Sequence, residues 1–133
     1  MKKNIAVIMC VWKRLHLLET TLTMLSEQTD LGFDVYLWNN NIDIASDVDE
    51  IIAKPYKYNV QARHYETNIG GAGRFYMANQ LANQYDYVVF IDDDQHFNKE
   101  LISTFKSEAD PATISGWWAW KLKTAYDDRI ALQ

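Results

Sequence analysis

Hydrophobic residues along the chain alternate between short continuous runs and helical stripes. The first run, Ile5–Val11, is apolar throughout and rich in β-branched residues, which is typical of a strand buried on both faces of a parallel sheet. Leucines then recur at spacings of three, four and three, at positions 15, 18, 22 and 25, so they share one face of a predicted helix. Gly32 ends that pattern, and residues 33–38 predict a second strand that runs into the polar cluster at 39–41.

The rest of the chain continues this alternation of strands and helices. Further elements are predicted as a helix over 47–54 capped by Ser46, a strand over 60–65, a helix over 74–84, a buried strand over 87–91, a helix over 99–107 and a last strand or extended segment over 113–120. Such alternation predicts an α/β fold, with a mainly parallel open sheet flanked by helices. We expect a single domain over residues 1–133.

Composition narrows the class of protein. The chain has 133 residues, 48% of them hydrophobic and 23% charged, which is the balance of one soluble globular domain. Its formal net charge is −5 and its basic residues are scattered, so we do not expect nucleic acid as a partner.

The targeting signals in the sequence are weak. Cys10 is the single cysteine, so no internal disulfide is expected. The apolar run after Lys2-Lys3 is short and soon meets Lys13-Arg14, unlike a signal peptide. We therefore predict a cytoplasmic protein, which could also lie at the surface of a membrane.

Polar clusters follow three of the predicted strands, at residues 11–14, 39–41 and 92–94. In open α/β sheets ligands bind beyond the carboxyl ends of the strands, so these clusters are expected to converge on one edge. Alternation along an extended chain would point Asp92 and Asp94 the same way, with Asp93 opposed. Two such carboxylates could hold Mg²⁺ or Mn²⁺ and share it with a phosphate. The alternative interpretation is a solvated acidic turn with no bound ion.

A glycine-rich segment, residues 68–73, precedes the helix predicted over 74–84. Glycines at a helix entrance allow a close backbone approach to an anion, although a purely structural turn explains them equally well. The segment lacks the third glycine of a dinucleotide fingerprint and the Lys-Ser/Thr of a P-loop. Arg74 beside it is a candidate partner for a diphosphate, or else a surface arginine.

Together, Asn68-Ile-Gly-Gly-Ala-Gly-Arg-Phe75 and Tyr87-Val-Val-Phe-Ile-Asp-Asp-Asp94 resemble family-2 glycosyltransferases with the GT-A fold, a Rossmann-like α/β fold. The resemblance is strongest to the branch of rhamnosyl- and galactofuranosyl-transferases, and it covers roughly residues 4–120. It implies a UDP- or dTDP-sugar donor, a glycan or lipid-linked acceptor, inverting transfer, and Mn²⁺ or Mg²⁺ bound through a DxD-type motif.

The resemblance also implies roles for particular residues. Asp94 would be the metal ligand, and Asp92 would contact the ribose or a metal-bound water. The residues expected to bind the nucleotide sugar are Val11, Trp12, Asn39, Asn40, Asn68, Gly71, Gly73, Arg74, Asp92 and Asp93. Trp12 is placed near the base by the resemblance, and core packing is its alternative role.

Two features depart from the family pattern. The family usually has Asp at the position of Asn39, which alters the expected contact with the base. The catalytic carboxylate of the family lies well downstream of the acidic motif, so Asp127 and Asp128 do not match it and the catalytic base is unknown. We therefore expect a truncated form of the fold.

Several aromatic and histidine residues have more than one interpretation. The Trp-rich end, Trp117, Trp118 and Trp120, could stack on a sugar, form exposed apolar surface, or join two copies of the chain as a homo-oligomer. His96 could neighbour the metal or lie exposed in a loop.

The main alternative to a transferase is a truncated or degenerate domain that binds nucleotide or a partner without transferring sugar. A sugar-phosphate nucleotidyltransferase would carry a Gly-rich loop after the first strand, where this chain has Trp12-Lys13-Arg14. An aspartyl phosphatase would place its paired aspartates after the first strand rather than the fourth. Both of these classes are disfavoured.

Overall fold

The computed structural model describes residues 5–116, 120–122 and 129–131, and the chain divides into two compact units, Met1–Ser103 and Thr104–Gln133. The strands are β1 (Ile5–Val11), β2 (Phe33–Asn39), β3 (Asn59–His64), β4 (Tyr87–Phe90), β5 (Trp120–Leu122) and β6 (Arg129–Ala131). The α-helices are α1 (Leu15–Ser26), α2 (Ala45–Ile52), α3 (Gly73–Gln80) and α4 (Leu101–Glu108). Single 3₁₀ turns, Ile42–Ile44 and Gly70–Ala72, precede α2 and α3.

The first unit contains a four-stranded sheet in the order β3-β2-β1-β4, with every neighbouring pair parallel. Ile5 of β1 lies opposite Phe33 of β2 and Tyr87 of β4, so these three strands start level. Their carboxyl ends therefore meet at one edge of the sheet. This arrangement confirms the predicted α/β fold with a parallel sheet flanked by helices.

The core forms where the apolar runs predicted it. In β1, every residue except Cys10 is buried, because the strand is central and covered on both faces. In α1, Leu18, Leu22 and Leu25 are fully buried, and Leu15 is half-buried at the start of the stripe. The two inner strands and this helix therefore hold the carboxyl edge in a fixed place.

Several local predictions are corrected by the structure. The strand before the acidic triplet is the edge strand of the described sheet, so Val88 and Phe90 are exposed rather than buried. Ser46 lies inside α2 and does not cap it; the side chain of Asn41 instead accepts from the backbone N–H of Asp43 and caps the 3₁₀ turn before that helix. The helix predicted over 74–84 ends at Gln80.

In the second unit, β5 and β6 form an antiparallel pair in which Trp120 lies opposite Ala131. Residues 113–116 are not a strand, and Trp120, the last residue of the segment predicted over 113–120, begins β5; residues 117–119 lie outside the described residues. Within the described ranges, no helix combines the length and the apolar character needed to cross a membrane.

Candidate functional site

A cleft of about 630 Å³ lies at the carboxyl edge of the sheet, where polar clusters were expected to converge. Its walls come from the ends of β1 and β4, the segment after β2, and the turn before α3. The lining residues are Cys10, Val11, Trp12, Lys13, Arg14, Asn40, Asn68, Gly70, Gly71, Arg74, Asp92, Asp93 and Asp94. Parallel strands thus bring together residues that are up to 84 positions apart in the sequence.

Arg14 joins the first wall of the cleft to the acidic triplet. It precedes α1, and its side chain makes no capping hydrogen bond with that helix. Its guanidinium instead donates from Nη2 to Oδ1 of Asp93 at 2.8 Å and from Nη1 to Oδ2 of Asp94 at 2.6 Å. The planar fork of arginine matches this pairing of two carboxylates. Hydrogen bonding to Asp94, and then the charge of Asp93, raises the pKa of Arg14.

Asp93 is the buried member of the triplet, with a side chain only 7% exposed. The hydroxyl of Thr21 on α1 donates to its backbone carbonyl at 2.9 Å, which fixes the chain at this point. Burial raises the pKa of Asp93, Arg14 opposes that shift, and the like charges of Asp94 and Asp92 add to it. Without Arg14 this carboxylate would be a buried and unpaired charge.

Arg74 holds the third carboxylate. Its Nη2 donates to Oδ1 of Asp92 at 2.7 Å, and its guanidinium lies near the ring of Phe90. Burial lowers the pKa of Arg74, but its bond and attraction to Asp92 outweigh that effect, so the pKa is raised. Burial raises the pKa of the Cys10 thiol, more than the nearby Arg74 lowers it. The thiol therefore lines the cleft in its neutral form, as a small apolar group.

The triplet is thus divided differently from the sequence prediction. Asp92 was expected to face the same way as Asp94, with Asp93 opposed, whereas Asp93 and Asp94 share Arg14 and Asp92 pairs with Arg74. The alternation rule for strands fails here because β4 ends at Phe90, and the triplet lies in a loop.

The described residues contain no group of three or more His, Cys, Asp or Glu side chains that could hold a metal ion on their own. A Mg²⁺ or Mn²⁺ ion that is shared with a diphosphate needs only one or two carboxylates. Asp92 and Asp94 meet that need, since both line the cleft and their side chains are 50% and 42% exposed. The donor set fits a shared ion and does not fit an ion held by protein alone.

Asn40 connects the end of β2 to the glycine-rich turn. Its Oδ1 accepts from Nε1 of Trp38 at 3.0 Å and from the N–H of Ile69 at 3.1 Å, and its Nδ2 donates to the carbonyl of Gly70 at 3.0 Å. Gly70 has a φ of +60°, and Oδ1 of Asn68 accepts from its N–H at 2.8 Å. The turn is therefore held in place from two sides.

Asn39, predicted to contact the nucleotide base, lies outside the cleft lining and is fully buried. Its Nδ2 donates to the carbonyl of Asn41 at 2.8 Å and to Nδ1 of His64 at 3.0 Å, while its Oδ1 accepts from the N–H of Asn41. Because Nδ1 accepts, Nε2 of His64 carries the proton and donates to Asp49 at 2.9 Å. The structure gives Asn39 the role of shaping the loop beneath the cleft.

Gly73, also expected to bind the donor, packs against the indole of Trp38. A Cβ on Gly73 would lie 2.3 Å from Cδ1 and 2.4 Å from Nε1 of that ring, so only glycine fits. Trp12, by contrast, does not take the alternative core position, since it is 49% exposed at the cleft with the ammonium of Lys13 4.1 Å from its ring centre. One glycine of the turn is therefore structural, and one aromatic face is open at the cleft.

The other predicted residues are distributed as follows. Val11, Asn40, Asn68 and Gly71 all line the cleft, and His96 is exposed. Trp117, Trp118, Asp127 and Asp128 lie outside the described residues.

The sequence analysis placed residues 11–14 and the glycine-rich segment at this edge but gave Lys13, Arg14 and Gly70 no binding role, and it did not place Cys10 at the cleft. Arg14 could have been found, because it is a cation placed just after a strand of the same edge as three adjacent carboxylates.

Comparisons with known proteins show the fold. No family model and no curated protein matches the chain. S. aureus TarS 1–349 in complex with UDP-GlcNAc matches with a TM-score of 0.64 and 23% identity, over 78% of this chain and 30% of the TarS chain. The complex with UDP gives 0.64 and 23%, over 78% and 31%. The structure of TarS itself gives 0.63 and 23%, over 78% and 19%.

These matches show an α/β fold similar to that of TarS, consistent with the GT-A-like fold that the sequence resemblance predicted. The chain spans about a third or less of the length of the TarS structures that it matches.

Proposed function

We propose that this protein binds a nucleoside-diphosphate sugar in the cleft and takes part in glycosyl transfer to an acceptor hydroxyl. One observation carries the proposal. The fold is similar to that of a protein whose structures hold UDP and UDP-GlcNAc, and its cleft lies at the sheet edge where α/β folds bind ligands. Arg14, Arg74 and the exposed ring of Trp12 supply the chemistry that a diphosphate and a base or sugar require.

The charges of the cleft support a role for a divalent cation. Both arginines are paired with aspartates, so their charge toward an entering diphosphate is offset until a cation takes over those carboxylates. We propose that Asp94, assisted by Asp92, holds Mg²⁺ or Mn²⁺ together with the diphosphate oxygens. When bound, the ion would neutralise the charge that develops on the leaving diphosphate. Arg74 would orient the diphosphate, and Asn40 would hold the turn against which it lies.

The finer parts of the proposal come from the sequence resemblance. They are an inverting transfer, a donor of the rhamnosyl- or galactofuranosyl-transferase branch, and a glycan or lipid-linked acceptor. An inverting transfer needs a carboxylate base for the acceptor hydroxyl. Each of the three carboxylates in the cleft is already bound to an arginine, so none of them is assigned that role.

The same observation favours a second candidate function, binding of a nucleotide sugar without transfer. Incubation of the chain with a labelled donor and an acceptor panel separates the two, since binding without a labelled product supports the second candidate. A panel of UDP- and dTDP-sugars tests the donor branch in the same experiment.

The direct test of donor binding is the Asp94→Ala variant. Isothermal titration of UDP and of dTDP with and without Mn²⁺ should show metal-dependent binding in the wild type that is lost in the variant. Asp86→Ala, which removes a carboxylate that does not line the cleft, is the control and should retain binding. Unchanged metal-dependent binding in Asp94→Ala would sink the metal assignment, and no binding by the wild type would sink the function.

A further inference from the structure

The two hydrogen bonds of the Arg14 guanidinium lie in different surroundings. The bond to Asp93 reaches a side chain that is 7% exposed, and the bond to Asp94 reaches one that is 42% exposed. Removing the partner of a buried charge is costly, whereas an exposed ion pair is screened by water and contributes little. Arg14 therefore has one firmly held arm and one that solvent can release.

A divalent cation and a guanidinium cannot both contact the same carboxylate oxygen at close range without strong repulsion. Nη1 of Arg14 lies 2.6 Å from Oδ2 of Asp94, the carboxylate assigned to the metal above. For Asp94 to hold an ion through Oδ2, Nη1 would have to leave that oxygen, while Nη2 could stay on Asp93. The released N–H groups then remain in the cleft, where a diphosphate oxygen is an acceptor suited to them.

We infer that Arg14 exchanges one hydrogen-bond partner when the ligands bind. Without metal its Nη1 arm is bound to Asp94; with metal and nucleotide present that arm would bind the diphosphate, while Nη2 stays on Asp93. This inference rests on the proposed function and deepens it. Its consequence is coupling between the ligands. Metal alone would bind a few-fold less tightly than it would without this arm, because a hydrogen bond would have to break, and nucleotide would strengthen metal binding by giving the freed arm a new partner.

The test counts free Mn²⁺ by its electron paramagnetic resonance signal, in titrations with and without saturating UDP. Two variants remove the competing arm. Arg14→Gln does so simply, and Arg14→Gln combined with Asp93→Asn does so without leaving a buried carboxylate unpaired. Both should bind Mn²⁺ alone about 3- to 5-fold more tightly than the wild type, the ratio expected for loss of one partly exposed ion pair. In both, the gain in Mn²⁺ affinity on adding UDP should shrink.

Lys13→Gln is the matched control, since it removes one positive charge from the same wall of the cleft. Within the described part of the chain, Lys13 lies over the ring of Trp12 and pairs with no carboxylate, so no ligand is freed. Its Mn²⁺ affinity should rise less than 2-fold, as expected for a screened charge.

The inference is overturned if Lys13→Gln tightens Mn²⁺ binding as much as the Arg14 variants, or if the double variant binds Mn²⁺ no better than the wild type. In either case wild-type binding of Mn²⁺ with UDP leaves the proposed function standing. A wild type that binds UDP but takes up no Mn²⁺ overturns both the exchange and the metal assignment. Failure to bind UDP under any condition overturns the proposed function itself.

Discussion

Gly73→Ala tests whether the turn before α3 is built around the indole of Trp38. The added Cβ would lie 2.3 Å from Cδ1, 2.4 Å from Nε1 and 2.6 Å from Cγ of that ring. All three distances are shorter than the 3.0 Å below which real Cβ contacts are essentially never found. The indole cannot move away to relieve these contacts. It is buried, its ring stacks on Tyr65 with centres 3.8 Å apart, and its Nε1 donates to Asn40.

The size of the effect follows from these contacts. Forcing one extra methyl into a packed site costs about 1–3 kcal/mol. Displacing the indole also weakens its hydrogen bond to Asn40, which adds about 1 kcal/mol. Alanine is the better helix former by up to about 1 kcal/mol, but Gly73 is the first residue of α3, where that gain is reduced. We expect a net loss of about 2–3 kcal/mol in the free energy of unfolding.

Urea unfolding followed by circular dichroism at 222 nm measures this loss, with Gly71→Ala as the matched control. A Cβ on Gly71 meets only the guanidinium of Arg74, at 3.7–3.9 Å, which is ordinary contact. The control should therefore stay within about 0.5 kcal/mol of the wild type. If Gly73→Ala is as stable as Gly71→Ala, the packing argument is wrong, and Gly73 has to be explained by a ligand instead.

Two further predictions concern stability. The raised pKa of Asp93 means that its charged form is disfavoured in the folded state, so its contribution to stability is greatest below the ordinary Asp pKa and is lost as the pH rises through the higher folded value. When the free energies of unfolding of the wild type and Asp93→Asn are measured across pH 3–7, that of the wild type should fall relative to that of the variant from about pH 4 upward. Parallel curves would contradict this. Tyr58→Phe removes the buried bond of 2.6 Å from its hydroxyl to the carbonyl of Leu22 and should cost about 1–2 kcal/mol in urea unfolding without changing UDP affinity. A loss of UDP binding in that variant would contradict this, because it would show that the bond from Tyr58 to α1 affects the structure of the cleft.

The parallel sheet could be predicted from the sequence because its signals are local. A continuous apolar run such as Ile5–Val11, followed by leucines at helical spacing, specifies a buried strand and its covering helix. The edge position of β4 could not be predicted, since an apolar strand has the same composition whether or not a neighbour covers it. Val88 and Phe90 on this strand are exposed.

The site was predictable in position but not in its pairings. Parallel strands must bring residues 11–14, 39–41 and 92–94 to one edge, and the cleft lies there. Which arginine binds which aspartate depends on the loop conformation after Phe90, and no period in the sequence encodes that. The burial of Asn39 was hidden as well, because its partner His64 lies 25 residues away at the end of another strand.

The paired arginines and aspartates also bear on how fast a ligand arrives. Lys13, Arg14 and Arg74 face Asp92, Asp93 and Asp94, three charges of each sign, so the formal charge of the cleft is zero in a chain of net charge −5. Such a cleft exerts no long-range pull on a nucleotide anion, and the net negative charge of the chain opposes its approach, so without a cation the encounter should become faster as salt screens that repulsion. A bound divalent ion makes the cleft positive. With the ion bound, association of the nucleotide becomes faster, and it slows as ionic strength rises. The salt dependence of the on-rate therefore reports whether the cation binds before the nucleotide.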